Sequence, residues 1–247
     1  MSSAKRTLFF GALIWIGGGG CEKERIPPSP QPILADTVIE APGANPSQRF
    51  GDPMLAINGV RGGGLHAGST DVYSLDYNER THITLAFDGG RRAIFDGPGA
   101  DLVVFENAFQ IQNSDRFFMD PVIVEVSSDG INFRAFPHEY RPQPGVEYDP
   151  RPEAWIGFAG TLPVLLHAEN NPLDPFDPVA GGNAFDLADL GRDPEAQELL
   201  EKGIRYVRLT SAAIRINPQT GRPYPRDPLS NGADIDGVFA RHTLLVR

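Results

Sequence analysis

The stretch "VIVEVSSDGINFRAF", residues 122–136, restricts the fold more than any other part of the chain. Val122, Val124 and Val126 alternate with other residues, Asp129-Gly130 supplies a turn, and Phe133 and Phe136 return on the far side. A period of two puts apolar side chains on one face of a strand, and an Asp-Gly pair tolerates the left-handed backbone that closes a hairpin. The segment therefore predicts a hairpin with one face turned to a core. Strands that could share that core follow the same grammar. In "HITLAF" (82–87) Ile83, Leu85 and Phe87 fall on one face, and "IRYVRLTS" (204–211) and "GVFARHTLLVR" (237–247) read as two further strands.

Between these segments Gly, Pro, Asp and Asn recur. With 27 Gly and 23 Pro among 247 residues, turns rather than long helices are expected. One segment alone reads as a helix, "DPEAQELLEKG": Asp193 suits the N-cap, Pro194 the first turn and Gly203 the C-terminal stop. No repeat of fixed period occurs, which argues against a propeller or solenoid. The pattern predicts an all-β fold, a single β-sandwich over residues 37–247 with long loops and one short helix near 194–202.

The opening "MSSAKRTLFFGALIWIGGGGC" has Lys5 and Arg6 before an apolar run from Leu8 to Ile16. That run is far below the roughly 20 residues that cross a bilayer, so residues 1–20 read as a signal peptide. Cys21, the one cysteine of the chain, follows Gly18, Gly19 and Gly20 directly. This resembles a bacterial lipoprotein signal, although the third position before the cysteine, usually Leu, is Gly18. The resemblance implies that Cys21 begins the mature chain, carries acyl chains and anchors the protein to a lipid membrane of the bacterial cell envelope, in the outer membrane or at the cell surface. A plain secretory signal followed by a stray thiol is the alternative. Residues 21–36, which include "EKERIPPSPQPILA", read as a Pro-rich tether. The formal net charge of −10 sets the chain against phosphate backbones and excludes nucleic acid as a partner.

Several stretches add a family resemblance. "VEVSSDGINFRAF", "IRYVRLTS" and "DIDGVFA" resemble the discoidin/galactose-binding jelly roll, which carries a similar hairpin and a late "YVRL" strand before a closing strand. "GSTDVYSL", "DGPGADLVVFENAF" and "GGNAFDLADLG" resemble a group of bacterial cell-surface lipoproteins whose activity is itself obscure. The resemblance runs from about Gly51 to the C-terminus and implies a jelly-roll form of the sandwich. The early tryptophan-containing strand of many carbohydrate-binding jelly rolls does not occur here.

Acidic and amide side chains cluster at strand ends and in Gly-rich loops: Asp71, Asp96, Asp101, Glu106, Asn107, Asp186 with Asp189, Asp234 and Asp236. Calcium takes six to eight oxygen ligands from such groups, so the set is a candidate structural calcium site. The resemblance places one near "ADIDG". An EF-hand loop begun at Asp234 would put Leu245 at its twelfth position, where the bidentate acid belongs, so that motif is excluded. Turn capping by each acid is the competing reading.

No catalytic motif appears. "GGGLHAGST" (62–70) lacks the lysine of a phosphate loop, and His66, His82, His138, His167 and His242 show no metal-ligand spacing. His82 and His242 read as ordinary strand residues. The segment 138–160 reads as a long Pro-rich loop bearing Trp155, Tyr140 and Tyr148 beside Arg141 and Arg151. Trp155, Tyr140, Tyr148 and Arg151 are therefore the candidate ligand-binding residues, with burial of Trp155 under its own loop as the alternative. The expected function is non-enzymatic binding of an extracellular glycan or an envelope protein. A glycan hydrolase using paired carboxylates and a purely structural envelope protein are the other readings.

Overall fold

A computed structural model describes residues 31–246. Its two main sheets are built from β1 (Ile33–Leu34), β2 (Thr37–Glu40), β3 (His82–Ala86), β4 (Leu102–Phe105), β5 (Val122–Ser127), β6 (Arg134–Ala135), β7 (Asn183–Phe185), β8 (Tyr206–Ser211) and β9 (Gly237–Ala240). The four-stranded sheet runs β1-β9-β4-β7 and the five-stranded sheet β6-β5-β8-β3-β2. Every pairing is antiparallel.

The expected hairpin forms, with Val126 opposite Arg134. Its turn is held by Asp129, whose Oδ1 accepts from the amides of Ile131 and Asn132 at 2.8 Å each. These hydrogen bonds keep the exposed carboxyl well below the usual range, because they favour its charged form. Val122, Val124 and Val126 then meet Ile83, Leu85, Val207 and Leu209 of their own sheet and Leu102, Val104, Val238 and Ala240 of the other, in one core. Two sheets closing on a shared core is the layering of a sandwich.

β4 is apolar and buried at every position, and the structure gives the reason. Leu102 and Val104 face the main core, while Val103 and Phe105 face a second cluster with Val60, Val164, Leu166 and Ala180. A strand buried on both faces has no polar side to alternate with.

The helix α1 (Pro194–Lys202) appears as expected. Asp193 accepts from the Ala196 amide at 3.1 Å, and the Gly203 N–H caps the carbonyls of Leu199 and Leu200. Three expectations need correction. The fold begins before residue 37, since Ile33–Leu34 pair with β9 and Ala35 is fully buried. "GVFARHTLLVR" is two strands, because His242 takes a left-handed φ of 57° that turns the chain between Ala240 and Thr243. The 138–160 segment is no open loop, for Glu139–Tyr140 pairs antiparallel with Trp155–Ile156.

Strand register divides the sandwich into two poles. Ala240 lies opposite both Ile33 and Leu102, while Gly237 lies opposite Phe105. Asp101 and Arg241 thus share one pole, and Glu106 and Asp236 the other. Because β1 is antiparallel to β9, the chain enters the fold at the Asp101 pole.

Candidate functional site

Apart from Asp189, the acidic and amide side chains of the candidate calcium set sort into three separate groups. At the entry pole, Asp96, Asp101 and Asp186 each bring a carboxylate oxygen within 4.8 Å of the others, the one such trio among the described residues. Asp101 is fully buried and already engaged. Its Oδ1 meets His242 Nδ1 at 2.6 Å and accepts from the Gly97 amide at 3.1 Å, while Oδ2 accepts from the Leu187 amide at 2.8 Å. Gly97 is required by close approach, since a Cβ there would lie 2.2 Å from the His242 ring. Burial raises the Asp101 carboxyl above its ordinary range, and the His242 contact opposes that rise. Asp186 is the N-cap of the short turn that follows, accepting from the Ala188 amide at 2.9 Å.

A second group lies at the opposite pole. Asp236 is fully buried, and both of its oxygens accept from the Arg61 amide at 3.0 Å. Desolvation, with Asp71 nearby, pushes its pKa up to about 7. Asp71 binds the Arg61 guanidinium at 3.1 Å and accepts from Asn58 Nδ2 at 3.0 Å.

Glu106, Asn107 and Asp234 form the third group, joined there by Asp120. Asn107 Nδ2 donates to the Ser69 carbonyl at 3.1 Å and to Asp234 at 3.2 Å, and Asp234 also accepts from Ser74 Oγ. Glu106 Oε1 accepts from the Asp234 amide at 2.9 Å. Its Oε2 is buried with no hydrogen-bond partner, in a residue only 3 % exposed. Gly160, with a φ of 76°, packs against it: a Cβ there would lie 3.2 Å from Oε2 and 2.8 Å from the Asp120 carbonyl. Desolvation, then the charges of Asp120 and Asp234, raise Glu106 well above the carboxylate range. Asp120 accepts from Ser230 Oγ at 2.5 Å and from Tyr77 at 3.4 Å, and burial lifts it to about 7. The three groups therefore do not assemble around one ion.

Tyr77 and Ser230, the partners of Asp120, line a cleft of about 1340 Å³. Phe117, Tyr148 and Tyr224 contribute rings to its lining, Pro223, Pro225 and Pro228 stiffen it, and Arg116, Arg222 and Arg226 bring guanidinium groups. The Arg226 guanidinium lies 5.1 Å from the Tyr77 ring centre. At the rim Leu229 is 81 % exposed.

The ligand-binding residues expected in the 138–160 segment behave differently. Trp155 is 2 % exposed, with its ring centre 4.0 Å from Tyr140, 5.3 Å from Phe158 and 5.7 Å from Tyr148. Its indole N–H donates to the Asp149 carbonyl at 2.8 Å. Asp149 also takes both ends of Arg151, at 2.9 and 2.7 Å, and the Tyr140 hydroxyl accepts from the Asp149 amide at 2.8 Å. This correction has a physical cause: a buried aspartate gathers the ring N–H and the guanidinium inward, so neither is free to meet a ligand. Tyr148 alone of the four reaches the cleft.

Asp120, Tyr77, Ser230 and the three cleft arginines were not singled out by sequence reasoning. "MDPVIVEV" places Asp120 just before a strand, as Asp101 precedes β4, and "RPYPRDPL" (222–229) has the Pro, Arg and Tyr content of the 138–160 segment. Those two signals could have pointed to the pole. Comparison with family models, with curated proteins and with solved structures returns no match. No helix among the described residues is long and apolar enough to cross a membrane.

Proposed function

We propose that this is a lipid-anchored protein of the bacterial cell envelope whose β-sandwich, of jelly-roll form, binds an extracellular glycan or envelope partner without catalysis. One observation carries the reading: the large aromatic cleft opens at the pole opposite the one where the chain enters the fold. A tether through Cys21 would then present the cleft away from the membrane. The buried acids behind it support binding over hydrolysis, because Glu106 and Asp120 are only 3 % and 6 % exposed. A general acid must reach the scissile oxygen. The test is a glycan array with the full chain, in which Tyr77→Ala should lose binding while the fold stays intact. Unchanged binding would remove the cleft from the reading. For the anchor, Cys21→Ser should release the protein from the membrane fraction, and unchanged partition would overturn it. Cys21 lies outside the described residues.

A structural calcium ion at Asp96, Asp101 and Asp186 is a second proposal, favoured by the three converging oxygens. Hard oxygen donors suit that cation, although Asp101 would have to give up part of its hold on His242. An ion bound only by the folded chain stabilises it by about 2.7 kcal/mol at a hundredfold excess over Kd. A Tm indifferent to calcium and chelator leaves the three acids as caps.

A further inference from the structure

Among the described residues most arginines are spoken for. Arg134, Arg141, Arg151, Arg208 and Arg215 hold carboxylates. Arg205 and Arg241 donate to the carbonyls of Gly90 and Ala100. Among the described residues, Arg116, Arg192 and Arg222 have guanidinium groups with no carboxylate, carbonyl, hydroxyl or ring partner, and Arg116 and Arg222 both line the cleft. Arg226, engaged only by the Tyr77 ring, lines it too.

The acids of the same wall are differently placed. Asp76 is taken up by the amides of Asn78, Glu79 and Arg80 and by the Arg80 side chain. Asp227 is 7 % exposed and caps the Leu229 amide at 2.8 Å. Glu147 is the open carboxylate of the lining. The cleft thus presents a local excess of free cations on a chain whose net charge is −10. Guanidinium forks match carboxylate and phosphate oxygens, and neighbouring ring faces suit the C–H face of a sugar.

We propose that this cleft binds an anionic glycan, Arg116 and Arg222 taking its carboxylate or phosphate groups while Tyr77 and Phe117 face its sugar rings. The proposal rests on the glycan-binding reading above and narrows it to one chemical class. Its test compares three probes on the full chain in detergent: polygalacturonate, neutral dextran and polyglutamate. Polygalacturonate should bind, and the affinity should fall as salt rises, because exposed charges are screened. The double variant Arg116→Ala/Arg222→Ala should weaken it by about tenfold or more, the usual effect of losing charge-assisted hydrogen bonds. Its Tm should hold, since neither guanidinium has a partner in the fold. Arg192→Ala, which removes the free arginine that lies outside the cleft lining, should leave affinity unchanged. Dextran binding as tight as polygalacturonate, with no effect of the double variant, would overturn the anionic class and leave the glycan reading standing. Equal binding of polyglutamate would overturn it in favour of an acidic polypeptide. Binding of none of the three would overturn it together with the glycan reading.

Discussion

Asp101 and Glu106 bracket the same strand, both are buried, and they meet opposite surroundings. Asp101 accepts from two backbone amides and meets the His242 ring, so its charge is answered on three sides. Glu106 has backbone hydrogen bonds from Asp234 and Asn107, nothing for Oε2, and two further carboxyls whose charges raise its pKa. A buried carboxylate with enough donors organises the chain around it, whereas one with an unpartnered oxygen among other acids is favoured in its protonated form. The first pole is built to hold the fold together where the chain enters. The second carries strained electrostatics directly behind the cleft.

The largest expected effect tests the wall on the cleft side. Trp155→Ala should cost about 3–5 kcal/mol, as truncation of a buried Trp does, read as a loss of Tm. A near-neutral result would mean that the ring is not the packing centre of its cluster, and would return it to the list of ligand contacts. Next comes Asp101→Ala, which leaves the Gly97 and Leu187 amides without an acceptor and should cost about 2–3 kcal/mol. Glu106→Gln should go the other way at pH 8, raising Tm, because a carboxyl that must keep its proton in the fold where the unfolded chain would ionise costs stability that a neutral amide does not. A loss of stability in that variant would end the contrast between the two poles.

The pH dependence sharpens the same comparison. Asp120 and Asp236 are raised to about 7 in the fold from an ordinary value of 3.8. A carboxyl with a raised folded-state pKa binds its proton more tightly when folded, so its contribution is fully present below about 3.8 and is lost as pH rises through about 7. Thermal melts should therefore show stability falling between about pH 4 and 7 from these groups. Asp120→Asn should flatten that slope. An unchanged slope in Asp120→Asn would show that the carboxyl has donors the wall does not contain. The smallest expected effect is that of Arg116→Ala on Tm, within about 0.5 kcal/mol, as for an unpartnered surface side chain.

What the sequence determined by itself is the local part of this protein. The alternation in β3 and β5, the Asp129-Gly130 turn and the capped helix α1 each follow from residues a few positions apart, and each appears where the pattern places it. That reach is short because strand period, turn chemistry and capping are set by neighbouring backbone groups. The tertiary structure decided the rest. Asp101 meets His242 across 141 positions of chain, and Glu106 meets the Asp234 amide across 128. No local rule says that one acid will find donors and the other will find more acids. The same distance effect packed Trp155 beside Tyr224, 69 positions later, and left Arg116 and Arg222 without partners, more than 100 positions apart in the chain yet lining one cleft. Burial and charge balance depend on which surfaces the two sheets bring together, and only the packed fold contains that information.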